Sequence, residues 1–446
     1  MEAYVVQQEL SSLERPIYNT GLSATYPKTV LIPDTSQLLE FGRKDILYRS
    51  REYSLISSDV LQKGNKAKEL QEYRWGLLTK EGVAGTPDIH YSQDKDNMWG
   101  LEVPPSVGSY YKLVEGDEVG VVVDHRKKLV LISSVNGVQD PEIIKSWKPD
   151  LRDYQSDYPK KPLPIEKYGD FDLRVITLLA PIGLGSSYWI IAPGGAGKTW
   201  ILVKILDACL KLTKEIDNLY IIMGYIGDRP EDASQYIQVF EENIGTSGEF
   251  HQASWDTKPD SQVDVTRFTM NRARRLSATG KHVVVLFDSI SRTVAAHTAS
   301  SYVDKDSGMI SGGIYRHSLT AMIAMLFGTH GSFGEDRSLT IIGTVLSSSD
   351  TKKTSESAVD QETSDSSTTG MCRLVKIATL DRPWVSVNEA ETFTRFPDKR
   401  DFRSPEQIKE MNDVKNIMRG GRGASNSYEA HSNLLNYVKK NPFPKY

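Results

Sequence analysis

A chain of 446 residues with 39% hydrophobic and 25% charged residues has the composition of a soluble globular protein of two or three domains, which excludes wholesale disorder and fibrous repeats. A formal net charge of only −4 provides no global basic field for nucleic acid, so any such binding rests on local grooves and stacking surfaces. Cys209 and Cys372 are the only cysteines and lie far apart, which argues against a disulfide framework or a zinc site and for a reducing compartment, the cytoplasm.

The opening stretch MEAYVVQQELSSLERP carries acids and lacks the basic-then-apolar pattern of a secretion signal. No apolar run approaches the roughly 20 residues of a membrane span, so no membrane partner is expected. Residues 1–72 mix turn signals with polar stretches and read as an N-terminal accessory segment. Residues 73–139 carry short strand-like runs, at Trp75, Asp88, Tyr110, Glu118 and Leu129, separated by glycine, proline and charge; a small β-barrel is the expectation. Residues 140–172 hold Pro141, Pro149, Pro159, Pro162 and Pro164 amid charges and read as a linker. Across residues 173–446 apolar runs beginning at Ser187, Leu219, His282 and Leu339 alternate with helical stretches, the pattern of an α/β domain with a mainly parallel sheet. The polar run from Ser347 to Thr369 cannot bury apolar surface and reads as a mobile loop.

Ala192-Pro193-Gly194-Gly195-Ala196-Gly197-Lys198-Thr199 stands between the apolar run ending at Ala192 and the helical stretch beginning at Trp200. A strand, a glycine loop and a helix start are what a phosphate cradle requires, because converging backbone N–H groups and the helix N-terminus favour bound anion. Pro193, Gly194, Gly195, Ala196, Gly197, Lys198, Thr199 and Trp200 are then the expected ATP-binding residues, Lys198 pairing with the β- and γ-phosphates and the Thr199 hydroxyl binding Mg²⁺. Asp288 ends an apolar strand, where a metal-orienting carboxylate sits in P-loop enzymes. Asp228 and Arg229 follow another such strand, and a carboxylate there can orient the attacking water. The same residues also suit an ordinary helix start, with Pro230 at the first position and acids in the first turn.

In order and spacing, Ala180-Pro-Ile-Gly-Leu-Gly, the phosphate loop, Asp228-Arg-Pro-Glu-Asp, Arg272-Ala-Arg-Arg-Leu, Leu286-Phe-Asp-Ser-Ile-Ser-Arg292, Ser311-Gly-Gly-Ile and Ser338-Leu-Thr-Ile-Ile-Gly-Thr resemble the bacterial transcription termination factor Rho family. The likeness covers most of residues 73–440. It implies a RecA-like P-loop ATPase domain with C-terminal helices, preceded by an OB-like β-barrel that binds nucleic acid, in a homo-oligomeric, hexameric ring acting on single-stranded RNA. It further implies an arginine donated to the neighbouring subunit's nucleotide, matched by Arg395, and an aromatic stacked on adenine, matched by Trp384 after Arg382. Base-stacking positions of the barrel fall near Trp75 and Tyr91, where each stacked base is worth about 1–3 kcal/mol.

The departures from that family are specific. Asp228 stands where the family has a glutamate, and Gly195 where its loop has a lysine. The two pore loops read Ser307-Gly308-Met309 and Ser366-Ser-Thr-Thr-Gly370 and lack the family's lysines; Arg316, Lys352 and Lys353 are the cations left in or near them. Lysine and arginine contacts to phosphate dominate sequence-independent nucleic-acid affinity, so these losses bear on translocation more than on ATP binding. Two functions follow: a Rho-like ring ATPase that translocates on or unwinds single-stranded nucleic acid, or a nucleotide-switched ring assembly or regulatory protein with weak ATPase and no helicase activity.

Overall fold

The computed structural model describes residues 105–124, 129–138, 140–243, 245–310, 313–347, 359–360, 368–376, 386–396, 401–419 and 427–440, residue 103, and the strand segments 29–32, 54–56, 71–79, 82–85 and 99–101. Among the described residues two sheets form. Strand β1 (Thr29–Ile32) belongs to the larger one. The smaller comprises β2 (Ser54–Ile56), β3 (Gln71–Thr79), β4 (Gly82–Gly85), β5 (Trp99–Leu101), β6 (Glu118–Asp124) and β7 (Leu129–Val135), in the order β2-β7-β6-β3-β4-β5. All its pairings are antiparallel except β2 on β7.

The apolar run at Tyr110 is not a strand. Pro105–Tyr111 is a helix opened by proline, with Tyr111 1% exposed in a small core of Val119, Val121, Ile132 and Val135. Proline's fixed φ suits the first turn of a helix, and this short helix covers one face of the sheet instead of extending it.

The larger sheet holds β8 (Ser187–Pro193), β9 (Leu219–Ile226), β10 (Gly248–Ala253), β11 (His282–Asp288), the short β12 (Gly331–Ser332), β13 (Ser338–Ser347), β14 (Gly370–Val375), β15 (Ser386–Val387) and β16 (Phe393–Thr394). Its order is β1-β10-β9-β11-β13-β8-β14-β15, parallel from β1 to β14, with antiparallel β12, β15 and β16 at its margins. The side-chain alternation of a strand splits each apolar run between two cores. Tyr188, Ile190, Ile221, Met223, Val284 and Leu286 pack under the helices Lys198–Leu212 and Pro230–Glu242. Trp189, Ile191, Ile222, Val283 and Val285 face the helices Pro259–Ala278, Ile290–Ala299 and Arg316–Phe327. Both faces being covered explains why these strands read as continuous apolar runs. The fold is α/β and RecA-like, with the phosphate-loop strand β8 inside the sheet.

Residues of the proline-rich stretch are pinned to this sheet: Leu151 and Ile165 are fully buried, and Asp157 bridges Ser332. Inside the polar run, Val359 is fully buried and Asp360 pairs with Arg373 at 2.8 Å.

The two sheets meet through a buried ionic cluster. Arg272 gives Nε to Glu249 Oε1 at 3.0 Å, Nη2 to Glu118 Oε2 at 3.2 Å, and Nη1 to the Gly116 carbonyl at 2.9 Å. Arg275 Nε donates to Asp117 Oδ1 at 2.7 Å. Gly116 has φ +92°, and a Cβ there would lie 2.8 Å from Arg272 Cα, so the turn reaches the helix only without a side chain.

Two carboxylates share one guanidinium in this dry cluster, so they titrate apart. Burial pushes Glu118 from 4.5 up to about 8 against the pull of Arg272, with the Glu249 charge adding to the rise. Burial also penalises the charge on Glu249, but Arg272 and His251 outweigh it and hold this carboxyl well below the usual range. The folded state therefore binds a proton at Glu118 that the unfolded chain releases near 4.5, and the stability this gives is lost as pH rises from 4.5 through about 8. Urea midpoints of the wild type are expected to fall over that window, whereas Glu118→Gln keeps a hydrogen-bonding neutral group and should lack that part of the decline. A Glu118→Gln variant less stable than wild type at pH 9 would overturn this charge assignment.

Candidate functional site

At the carboxyl end of β8 the chain turns through Gly194–Gly197 and enters the helix at Lys198. A Cβ on Gly194 would meet no atom within 4 Å, so the loop opens on free space. Lys198, 15% exposed, donates from Nζ to Asp288 Oδ1 at 2.8 Å. That carboxylate is held on every side: Thr344 donates to Oδ1 and Tyr236 to Oδ2, each at 2.8 Å. Burial would raise the Asp288 pKa, but Lys198, Tyr236 and Thr344 outweigh it and keep the group ionised below the usual carboxylate range. Neighbouring parallel strands supply these partners, β11 bringing Asp288 and β13 bringing Thr344 beside the loop strand β8. Loops at the carboxyl ends of parallel strands are where ligands bind in such sheets.

Asp228 follows β9 on the same sheet end, half-buried, with Arg292 Nε 3.8 Å from its Oδ1. Burial and then the Asp288 charge raise its pKa, with Lys198 and Arg292 opposing. A carboxylate whose basicity is raised, beside an ionised one that is not, is the division of labour expected of a water-orienting base and a metal-holding ligand. Arg229 is exposed and caps the helix Pro230–Glu242, its carbonyl accepting from Tyr225 at 2.6 Å. Thr199 sits in the first turn of the loop helix, half-buried. The chemistry of this set fits a magnesium nucleotide: an open glycine cradle, a lysine, a hydroxyl and an ionised carboxylate.

Other expected residues lie apart. Trp200 is 52% exposed and points to the flank, with Nε1 3.3 Å from Asp172 Oδ2 and the Lys204 ammonium 4.5 Å from its ring. Arg395 is exposed, its guanidinium 4.6 Å from the Phe393 ring and its N–H donating to the Thr369 carbonyl at 2.8 Å. Thr394 pairs with Gly370, which lies opposite Tyr188. At about 3.3 Å per residue, that end of β8 is roughly 16 Å from Pro193 and the loop, beyond an arginine's reach. Trp75 stands on β3 opposite Gly120. Arg316 is exposed and opens the helix Arg316–Phe327, its N–H donating to the Gly308 carbonyl at 3.1 Å, and Met309 beside it is 61% exposed. Tyr91, Lys352, Lys353, Arg382 and Trp384 lie outside the described residues.

Sequence reasoning missed Tyr236 and Thr344, the two hydroxyls that hold Asp288. Neither belongs to the loop, and Tyr236 sits mid-helix where an aromatic signals core. It also assigned no role to Arg272, which bonds both to Glu249 of the larger sheet and to Gly116, Asn136 and Glu118 of the smaller one.

Residues 172–364 match the model of the ATP synthase alpha/beta family, nucleotide-binding domain. The chain is 31% identical to transcription termination factor Rho of Gemmatimonas aurantiaca over 280 residues, covering 59% of this chain and 35% of that protein. To the Rho factor of Streptosporangium roseum it is 30% identical over 278 residues, covering 60% of this chain and 67% of that one. It thus spans about a third of the length of one of these relatives and two thirds of the other. Among solved structures, a prototypical ATPase from the type III secretion system of pathogenic bacteria aligns with a TM-score of 0.47 and 16% identity over 59% of this chain and 70% of that one.

Proposed function

The chain belongs to the family of transcription termination factor Rho, and on that footing we propose that it forms a homohexameric ring that hydrolyses ATP at its subunit interfaces and moves along single-stranded RNA. The observation that carries this reading is the loop lysine resting on an ionised, triply held Asp288 with Asp228 alongside. Loop N–H groups and Lys198 take the phosphate oxygens, and Lys198 releases Asp288 Oδ1 as it does so. Asp288 and the Thr199 hydroxyl would hold Mg²⁺, which when bound would supply positive charge to offset that of the phosphates. Asp228 accepts a hydrogen bond from the attacking water and aims it. Arg395 of the adjacent subunit stabilises the charge on the transferring group, which couples turnover to the ring. Arg382 and Trp384 complete the nucleotide pocket, and Trp75, Tyr91, Arg316, Lys352 and Lys353 contact the polymer.

A second reading, a nucleotide-switched ring with weak ATPase and no unwinding, draws support from Met309, an exposed methionine at the loop position where the family carries a lysine. An ATPase assay of the purified chain with single-stranded RNA, with single-stranded DNA and with neither separates the two. RNA is expected to raise turnover by about tenfold or more at low salt, the gain shrinking as salt competes for phosphate contacts. Equal turnover in all three conditions would reject the motor and leave the switch.

A further inference from the structure

Lys376 is the first residue beyond β14, which runs parallel to the loop strand. The register pairs Arg373 with Ile191, so its continuation sets Lys376 level with the phosphate loop. The loop residue Gly195 has φ +74°, and a Cβ built on it would lie 3.7 Å from Lys376 Nζ and 3.8 Å from its Cε. The ammonium therefore stands at the crest of the loop, in the space that a side chain at position 195 would enter.

Nearby cations are already matched. Arg373 pairs with Asp360 at 2.8 Å and Glu391 at 2.6 Å, Lys198 with Asp288 at 2.8 Å, and Lys204 with Asp172 at 2.5 Å. Lys376 is exposed and makes no ion pair or hydrogen bond with another described residue. An exposed ammonium beside the phosphate loop, with no anionic partner among the described residues, meets a phosphate oxygen as its natural partner.

We propose that Lys376 is a phosphate-binding residue of the nucleotide site, supplying from a separate strand the second cation that the loop lacks at Gly195. This rests on the nucleotide-site reading above. Position 195 has the left-handed backbone geometry that favours glycine, and the Lys376 tail lies within van der Waals contact of where its Cβ would stand. The strand that carries Lys376 at one end anchors Arg395 at the other, through Gly370 and Thr394. The residue touching the subunit's own phosphates and the arginine offered outward thus ride on one element.

The test is equilibrium binding of a fluorescent ATP analogue to the full chain as wild type, Lys376→Met, Lys376→Arg and Lys198→Ala, with thermal unfolding of each variant without nucleotide. Lys376→Met is expected to weaken the analogue about tenfold and shrink the nucleotide-induced rise in Tm, while the ligand-free Tm stays put because the side chain is exposed. Lys376→Arg should bind within about threefold of wild type. If the wild type binds but Lys376→Met binds within twofold of it, this inference is overturned and the nucleotide site stands. If Lys198→Ala binds as wild type does, the nucleotide-site reading itself falls, and this inference with it.

Discussion

Arg395→Ala is expected to lower ATP turnover by roughly 10³-fold or more, the usual loss when an arginine is withdrawn from a transferring phosphoryl group, while nucleotide affinity stays within a few-fold of wild type. The argument is geometric. Arg395 is exposed and hangs from the far end of β14, opposite Tyr188 at the start of β8, so the length of the loop strand separates it from its own phosphate cradle. Phe393 and the Thr369 carbonyl hold the segment that carries it, which leaves the guanidinium facing outward on a fixed support. A subunit with Lys198→Ala has a dead site but an intact arginine, and one with Arg395→Ala the reverse. Mixed rings of the two should recover a measurable fraction of wild-type turnover, because some interfaces pair an intact site with an intact arginine. Normal turnover in Arg395→Ala, or no recovery on mixing variants that each form rings, would remove the assignment.

Arg272→Ala should cost about 3–5 kcal/mol of stability, the penalty typical of breaking a buried ion pair and stranding its partner. The arginine is 1% exposed, too deep for bulk water to take its place: Glu249, the Gly116 carbonyl and Asn136 would each lose a donor. Glu249 also accepts from Tyr220 at 2.6 Å, so it cannot turn to another cation without breaking that bond. Because the cluster ties the turn before β6 to the helix Pro259–Ala278, unfolding of the smaller sheet should separate from that of the larger one, giving a broadened transition in urea. Adding Glu249→Gln to Arg272→Ala should restore part of the loss by removing the stranded charge. An Arg272→Ala protein within 1 kcal/mol of wild type would show that the cluster is solvated and that something else joins the sheets.

Much of the larger sheet was legible in the residues because burial on both faces leaves a plain mark. Runs such as Tyr188-Trp-Ile-Ile and Val283-Val-Val-Leu-Phe admit little but a covered parallel strand, and glycines followed by Lys198 and Thr199 admit little but a turn into a helix. The smaller sheet was harder to read. Tyr110 and Tyr111 look like strand residues, yet their place on a helix depends on Pro105 and on what Tyr111 packs against, which lies on other strands. The site was legible where a motif is local and silent where it is assembled across strands: Asp288 could be named from its strand end, but not Thr344 or Tyr236.

Adjacent residues were enough to set the order of strand, loop and helix around Lys198, the alternation that makes an α/β sheet, and a family membership carried by motif spacing. These are properties of neighbours along the chain and of the periodicity they impose. It took the folded arrangement to show that Lys198 rests on Asp288, that Arg272 locks one sheet to the other, that Arg395 stands a strand's length from its own loop, and that Lys376 stands beside Gly195. Each of those joins residues from separate strands or helices. Register and packing of the whole sheet set such distances, and no local pattern encodes them.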